Sequence, residues 1–319
     1  MPTSEQTLPP VVFLMGPTAS GKSALAVALA QELNGEIISV DSALVYRGMN
    51  IGTAKPTLSE RQGITHHLID ILDPKENFST GEFKTQALML IEKLHQRGKL
   101  PILVGGTMLY FNALSKGIAE MPPANPAIRQ QLDEDLLHFG KDSLYQRLQT
   151  VDPESAARIH PNDPQRIQRA LEVYAITGQP ISDFYQQNQS DFPYSAIKLI
   201  VAPQHRQTLH QIIAERFNHM LAQGFIEEVE ALRSRGDLNE TLPSMRAVGY
   251  RQIWAYLEGV YDRASMIEKA IAATRQLAKR QFTWLRKETD ALTLDSQQEN
   301  LSNKVLISIS KMLNLKLKK

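Results

Sequence analysis

VVFLMGPTASGKSALAVALAQEL, residues 11–33, carries three local signals in a row. Val11 to Met15 is a short apolar run of the buried-strand kind. Gly16-Pro17-Thr18-Ala19-Ser20-Gly21-Lys22-Ser23 is a loop that fits G-x-x-x-x-G-K-[ST] at every fixed position. Ala24 to Leu33 is Ala/Leu-rich, and the Asn34-Gly35 that follows is helix-stop chemistry. Glycines let backbone wrap an anion, and successive N–H groups can point inward at phosphate oxygens. The start of the helix adds the positive end of its dipole. Lys22 is then placed to reach a terminal phosphate, and the Ser23 hydroxyl to ligate Mg²⁺. A plain Ala-rich helix behind a glycine turn would not explain why Lys22 and Ser23 stand together at its first turn.

Working outward, Glu36 to Val40 reads as a second strand, ending at Asp41-Ser42, the carboxyl end where α/β folds place functional groups. Tyr46 to Pro56 (YRGMNIGTAKP) is loop-like. His66 to Pro74 suggests a short strand and turn. Phe78 to Arg97 has helical spacing, with Phe83, Ala87, Leu90, Ile91 and Leu94 on one face and Gly98 as the stop. Leu100 to Val104 is a buried-type strand, left through Gly105-Gly106-Thr107. Strands alternating with helices predict a parallel, doubly wound sheet.

After Glu120 the texture changes. Ala127 to Gly178 is helix-patterned, broken at Asp152-Pro153 and at His160 to Pro164. Asp183 to Tyr194 reads as polar, aromatic loop, and Ile197 to Ala202 resumes strand character. From Thr208 onward the pattern is helical, with long amphipathic stretches at Thr208–Arg235, interrupted by Gly224, and at Ser265–Lys287. Lys311 to Lys319 reads as a frayed basic tail. The predicted class is α/β: a P-loop, nucleotide-kinase-like core over residues 1–120 and 196–319, with an all-helical insertion at 121–195 and a helical C-terminal region.

The 319 residues are too many for one typical domain, and 42% hydrophobic with 22% charged residues is ordinary globular composition. Cysteine is absent, which excludes disulfides and cysteine-ligated zinc and suits a reducing, cytoplasmic compartment. The start, MPTSEQTLPP, has no signal-peptide pattern, and no apolar run is long enough for a bilayer. A net charge of only +1 means that a polyanionic partner must be met by a local basic patch.

A routine ATPase would carry a strand ending in a Mg²⁺-holding Asp. Here the best such strand ends in Gly105-Gly106, which moves the reading toward nucleotide kinases or a transferase that uses a diphosphate. Asp41 is the best catalytic carboxylate, on a strand expected beside the P-loop strand; capping a turn with Ser42 is the competing explanation. His66 and His67 are adjacent on a strand, so they point to opposite faces and read as structural. Arg275 to Lys287 (RQLAKRQFTWLRK) is basic, with no acid between Glu268 and Glu288. On a helix Arg275, Lys279 and Arg286 form one stripe, and Leu277 with Trp284 a second that could dock on the core. Either a solvated face or a phosphate-contacting one fits this stretch. Two more arginine clusters, Gln165-Arg166-Ile167-Gln168-Arg169 and Arg246-Ala247-Val248-Gly249-Tyr250-Arg251, favour nucleic acid.

Taken together, GPTASGKS (16–23), DSALVYRGMNIGTAKP (41–56), HHLID (66–70), GGT (105–107), QRIQRALEVY (165–174), RAVGYRQ (246–252) and TRQLAKRQFTWLR (274–286) resemble the P-loop tRNA dimethylallyltransferases, over nearly the whole chain. The resemblance implies transfer of a dimethylallyl group from dimethylallyl diphosphate to N6 of the adenine on the 3′ side of the anticodon, with Mg²⁺. It implies a P-loop holding diphosphate in place of ATP, Asp41 as general base, Thr107 beside the reacting centre and Arg216 clamping the diphosphate. It places tRNA contacts on Asp41, Ser42, Ala43, Leu44, Thr107, Arg129, Gln165 to Arg169, Arg246 to Arg251, and Lys279, Arg280, Gln281, Phe282, Thr283, Trp284, Leu285 and Arg286. The chain lacks the C-terminal zinc finger of eukaryotic-type members, as it must without cysteine. The partners expected are the tRNA anticodon stem-loop and the prenyl diphosphate, entering a channel from opposite sides, with the protein acting as a monomer. A small-molecule kinase using ATP at the same loop is the alternative, and a nucleotide-dependent RNA-binding regulator a third.

Overall fold

The computed structural model describes residues 8–119, 121–186 and 192–313. Residues 1–7, Glu120, residues 187–191 of the expected polar loop and residues 314–319 of the expected basic tail lie outside them. In chain order the elements are β1 (Pro10–Met15), α1 (Lys22–Glu32), β2 (Gly35–Val40), α2 (Leu58–Arg61), β3 (His66–His67), α3 (Thr80–Gln96), β4 (Leu100–Gly105) and α4 (Met108–Ser115). There follow α5 (Pro126–Val151), α6 (Pro153–Arg158), α7 (Pro164–Thr177) and α8 (Ile181–Gln186). The rest is β5 (Ser195–Ala202), α9 (Arg206–Ala222), α10 (Phe225–Arg233), α11 (Tyr250–Leu257), α12 (Arg263–Leu285), β6 (Leu292–Asp295) and α13 (Leu301–Met312). Two compact units result, Met1–Leu114 with Pro193–Lys319, and Ser115–Phe192.

The first unit is built on a six-stranded sheet in the order β3-β2-β4-β1-β5-β6, every pair parallel. Strands buried on both faces read as continuous apolar runs, which is why β1 lacks alternation in sequence yet alternates in space. Val12 and Leu14 meet Leu25 and Leu29 of α1 and Val305 and Ile309 of α13. Phe13 points the other way, its ring 5.1 Å from Phe111 of α4. A second core gathers α9 to α12 around Val45, Tyr46 and Met49, so the segment leaving Asp41 is anchored by helices far along the chain.

Three sequence expectations are corrected here. β2 does not neighbour β1, because β4 lies between them. The chain beyond Thr208 is not helical throughout: Leu292 to Asp295 pairs with β5, Leu199 opposite Leu292 through Ala202 opposite Asp295. Four half-buried edge residues are too few for a period-2 signal, and only the partner strand reveals them. Part of the expected Asp183–Tyr194 loop is helix, since α8 runs to Gln186. Of the histidine pair, His67 is structural, as expected, while His66, 2.9 Å from the Ile64 carbonyl through Nδ1, also lines the large cavity described below. His67 Nε2 lies 2.7 Å from Glu36 Oε2, with the Arg97 guanidinium 2.7 Å from the other oxygen. Burial works against ionisation of Glu36, yet the His67 and Arg97 hydrogen bonds outweigh it and hold the carboxyl below its ordinary range. Among the described residues no helix is long and apolar enough to cross a membrane.

The second unit is helical throughout its described elements. α5 begins at a true cap, Asn125 Oδ1 accepting from the Ala127 and Ile128 N–H groups, and breaks at Gly140, whose φ of 77° leaves the helical region. Asp152 Oδ1 accepts from Ser155 N–H at the start of α6, which confirms the break at Asp152-Pro153. Glu172 of α7 is fully buried. It takes Arg129 Nε at 2.8 Å, Arg169 Nη1 at 2.6 Å and Asn125 N–H at 2.8 Å. Burial opposes its charge, and the two arginines more than compensate, keeping the carboxyl below its usual value.

Replacing both arginines with Met leaves that carboxylate buried with one backbone donor. The expected cost is about 3–5 kcal/mol, read from the urea midpoint at neutral pH. A lowered folded pKa stabilises above the unfolded glutamate value and is lost on acidification, so the gap between wild type and variant should narrow below pH ~4. A gap that stays constant to acid pH would mean that Glu172 does not carry the effect.

Candidate active site

The loop after β1 takes the shape its residues demand. Ala19 and Gly21 have φ of 63° and 79°, the left-handed conformation that lets the loop turn tightly into α1. Gly16 has no room for a side chain, because a Cβ there would overlap the Val201 carbonyl oxygen of β5. α1 starts at Lys22 with no side-chain cap and no acid in its first turn. Its first N–H groups are thus left for an anion. Lys22 curls over its own loop, donating from Nζ to Pro17 O at 2.6 Å and Ser20 Oγ at 3.2 Å. Burial, reinforced by the Arg216 charge and only partly offset by Asp41, pulls the Lys22 ammonium down to about 7. The Arg216 guanidinium is likewise held below its ordinary value by burial, with Asp41 opposing. Two desolvated cations against one carboxylate are a site short of negative charge, which a diphosphate supplies.

Asp41 stands at the end of β2. Its Oδ1 accepts from the Ala43 and Leu44 N–H groups at 2.8 and 3.3 Å. It therefore caps a turn, the competing explanation, and also faces the Lys22 and Arg216 charges. β4 intervenes between β2 and β1, but its end is Gly105-Gly106. A Cβ on Gly105 would overlap the Val40 carbonyl oxygen, so that end is backbone only. The Asp41 carboxylate interacts with Lys22 across this gap. Thr107, the next residue, accepts from Ser42 N–H at Oγ1 (3.2 Å) and donates its own N–H to Val40 O (3.2 Å). Asp41, Thr107, Lys22 and Arg216 thus line one cavity of about 1440 Å³, all within the first unit.

Its far wall is set by groups that sequence reading missed. Glu228 of α10 accepts from the N–H groups of Asn50, Ile51 and Gly52 at 2.9, 2.8 and 3.2 Å, and from the Tyr250 hydroxyl at 2.6 Å. Lys55 donates to Tyr46 O at 2.7 Å and ion-pairs with Asp70. A lone Glu in an amphipathic helix carries no local signal of this role; YRGMNIGTAKP, a long run without periodicity, was the only hint that something else must hold it.

α12 turns differently from the sequence expectation. Leu277 and Trp284 do not dock on the core but line the cavity with Thr274, Arg280 and Gln281. The docked face is Ala278 and Leu285, both buried. Lys279, Thr283 and Arg286 are exposed. Arg246 to Tyr250 also line the cavity, with Tyr250 fully buried and Arg251 exposed. In the second unit Ile167 is fully buried, so its side chain serves the helical core and not a ligand. Gln168 donates to Asp133 Oδ1 at 2.7 Å, and Arg166 pairs with Asp163 at 3.3 Å.

The depressed Lys22 predicts proton uptake. An anion bound beside it restores the ammonium, so inorganic diphosphate should bring close to one proton with it well above pH ~7 and almost none well below. Affinity should then fall by up to about tenfold per pH unit on the alkaline side. Calorimetry in two buffers of different ionisation enthalpy measures this, and Lys22→Met should abolish the uptake.

The family described as IPP transferase matches residues 44–288. A tRNA dimethylallyltransferase of Methylococcus capsulatus is 58% identical over 302 residues, 94% of this chain and 97% of that protein. The crystal structure of the full-length tRNA isopentenylpyrophosphate transferase from Bacillus halodurans is 37% identical with a TM-score of 0.69, covering 95% of each chain. A eukaryotic dimethylallyltransferase acting on tRNA aligns with a TM-score of 0.83 at 29% identity, over 98% of this chain and 81% of that one. These relatives are named for prenyl transfer to tRNA, and the kinase reading of the P-loop gives way to it. With its P-loop, Asp41 and Thr107 gathered at one end of a parallel sheet, the chain belongs to the IPP transferase family, the tRNA dimethylallyltransferases.

Proposed function

We propose that this protein transfers the dimethylallyl group of dimethylallyl diphosphate to N6 of the adenine on the 3′ side of the anticodon, in tRNAs reading codons that begin with U. The observation that carries the reading is the facing of the Asp41 carboxylate and the Lys22–Arg216 cation pair across the glycine end of β4. A base and an anion site in one cavity are what this substitution needs.

The exocyclic amine of adenine is a poor nucleophile, because its lone pair is delocalised into the ring. As N6 attacks C1 of the dimethylallyl group, the C1–O bond breaks and the diphosphate leaves with the electron pair. The N6 proton passes to Asp41, which lowers the barrier. Lys22, Arg216 and the P-loop N–H groups stabilise the charge that develops on the departing oxygen. Thr107, fixed by Ser42 and Val40, sits where it can meet the adenine edge. The adenine must leave its stack to reach the cavity. The Ser23 hydroxyl, at the first turn of α1, is the donor offered to Mg²⁺. Among the described residues no three acidic or histidine side chains cluster as a metal cage. A single hydroxyl fits Mg²⁺, which is held chiefly by substrate phosphates and water. When bound, that ion would neutralise diphosphate charge.

Exposed Lys279 and Arg286, with Arg280 and Arg246 at the cavity and exposed Arg251 next to its wall in sequence, are the groups we assign to tRNA phosphates. The second unit offers Gln165 and Arg166, while Arg129 and Arg169 meet RNA only with charge left over from Glu172. Opposite mouths for tRNA and prenyl diphosphate, action as a monomer and a cytoplasmic location complete the reading.

Mass spectrometry of bulk tRNA incubated with each donor tests it: a prenyl increment is expected, and a phosphoryl increment or none overturns it. Asp41→Asn should bind both substrates with dissociation constants changed only a few-fold, while single-turnover rate falls ~10²–10⁴-fold. Near-normal turnover would remove Asp41 as base. Arg280→Ala and Arg286→Ala should each flatten the salt dependence of tRNA binding by at most about one unit of log–log slope. An unchanged slope in both would make this face merely solvated.

A further inference from the structure

Gln281 lies inside the basic stretch of α12, where neighbouring side chains are assigned to RNA. Its amide is occupied elsewhere. Oε1 accepts from the Thr18 backbone N–H at 2.8 Å, and Nε2 donates to the Gly106 carbonyl at 3.0 Å. The two bonds fix the orientation of the amide, since a flipped one would set donor against donor and acceptor against acceptor. Thr18 is in the P-loop, and Gly106 immediately precedes Thr107. The fit is close: a Cβ on Gly106 would overlap the Gln281 amide nitrogen. Most P-loop N–H groups are there to meet phosphate, yet this one is held from outside by a helix 263 residues further along.

We propose that Gln281 is a positioning residue for prenyl transfer. Its amide ties the diphosphate loop to the loop of Thr107 and so fixes the spacing between leaving group and acceptor. The reason is geometric. β1 and β4 are paired as far as Met15 with Gly105, and beyond that pair their exit loops share no ladder. Thr107 is held to the β2 side through Ser42 and Val40, and the amide bridge is what ties that loop by hydrogen bonds to the P-loop; in-line displacement is sensitive to misplacement on the scale of 1 Å. Glu is nearly isosteric but cannot replace it, because a carboxylate oxygen would oppose the Gly106 carbonyl and add negative charge beside the diphosphate cradle. The inference rests on the reading of the P-loop as the donor site.

Two variants and one spectroscopic measurement test it, with an anticodon stem-loop RNA as acceptor. Q281M should lower the single-turnover rate ~10–100-fold and raise the donor KM several-fold, with Q281E more severe. RNA dissociation constant should stay within about twofold and melting temperature within a few degrees, a split that loss of fold would not produce. In the donor-free wild type the Thr18 amide should be protected from hydrogen exchange, and Q281M should remove the protection. Weakened RNA binding with an unchanged single-turnover rate would make Gln281 an RNA contact and overturn the proposal. So would unchanged kinetics, or an unprotected Thr18 amide in the wild type, a measurement that needs no variant to fold. Lys22→Ala run alongside separates the two ideas: if it too leaves donor use intact, the donor-site reading fails; if it alone is impaired, only the role of Gln281 does.

Discussion

Backbone meets backbone at the carboxyl end of this sheet, and the site depends on that closeness. The Val201 carbonyl occupies the place of a side chain on Gly16, and the Val40 carbonyl does the same at Gly105. Where β1 and β4 end there is consequently no side-chain layer between neighbouring strands. The P-loop, the Asp41 turn and the Thr107 loop converge on the gap. A parallel sheet whose strand order reverses, as it does between β4 and β1 here, opens a crevice at that point. In this protein the glycines bring a carboxylate on β2 into the field of a lysine on α1, although a whole strand separates them.

Inside that crevice burial does the electrostatic tuning. Lys22 and Arg216 lose water, and each is pushed toward its neutral form by desolvation and, for Lys22, by the other cation. A bound anion would relieve both. Net charge of the chain, +1, conceals this entirely. Positive charge is concentrated locally, at half-buried Lys22 and Arg216 in the cavity and along the exposed face of α12 that carries Lys279 and Arg286.

Carboxylates hold the irregular segments around the site. Backbone outside helices and sheets must still find partners for its N–H groups. Glu228 satisfies three consecutive ones in the segment 50–52 and adds the Tyr250 hydroxyl. Asp41 satisfies two in its own turn. In the second unit Asp152 accepts from Ser155 and Ser182, tying α6 to α8. A single carboxylate with several lone pairs can organise a loop whose own pairing is a lone bridge, Tyr46 with Leu72, and Glu228 does so for the middle of YRGMNIGTAKP.

Much of this was legible in the amino acids. The P-loop, β1, β2, β4, β5, α1, α3 and α12 are written in local patterns: apolar runs, helical spacing, caps and glycine stops. Those patterns act within a turn or two, so one stretch of chain suffices to express them. Asp41 and Lys22 were legible as candidates for the same reason. Strand order was not, because pairing β2 with β4 is a choice among partners far apart in sequence. β6 was invisible, since an edge strand of four residues has too little pattern and exists only beside β5. Which face of α12 looks into the cavity was likewise a tertiary decision: spacing grouped Leu277 with Trp284, and only packing of Ala278 and Leu285 against the core turned that stripe toward the site. Glu228 and Gln281 show the limit most plainly. Each acts on backbone groups more than 170 residues away. A side chain's residue type states what it can bond, and only the folded chain decides what comes within reach.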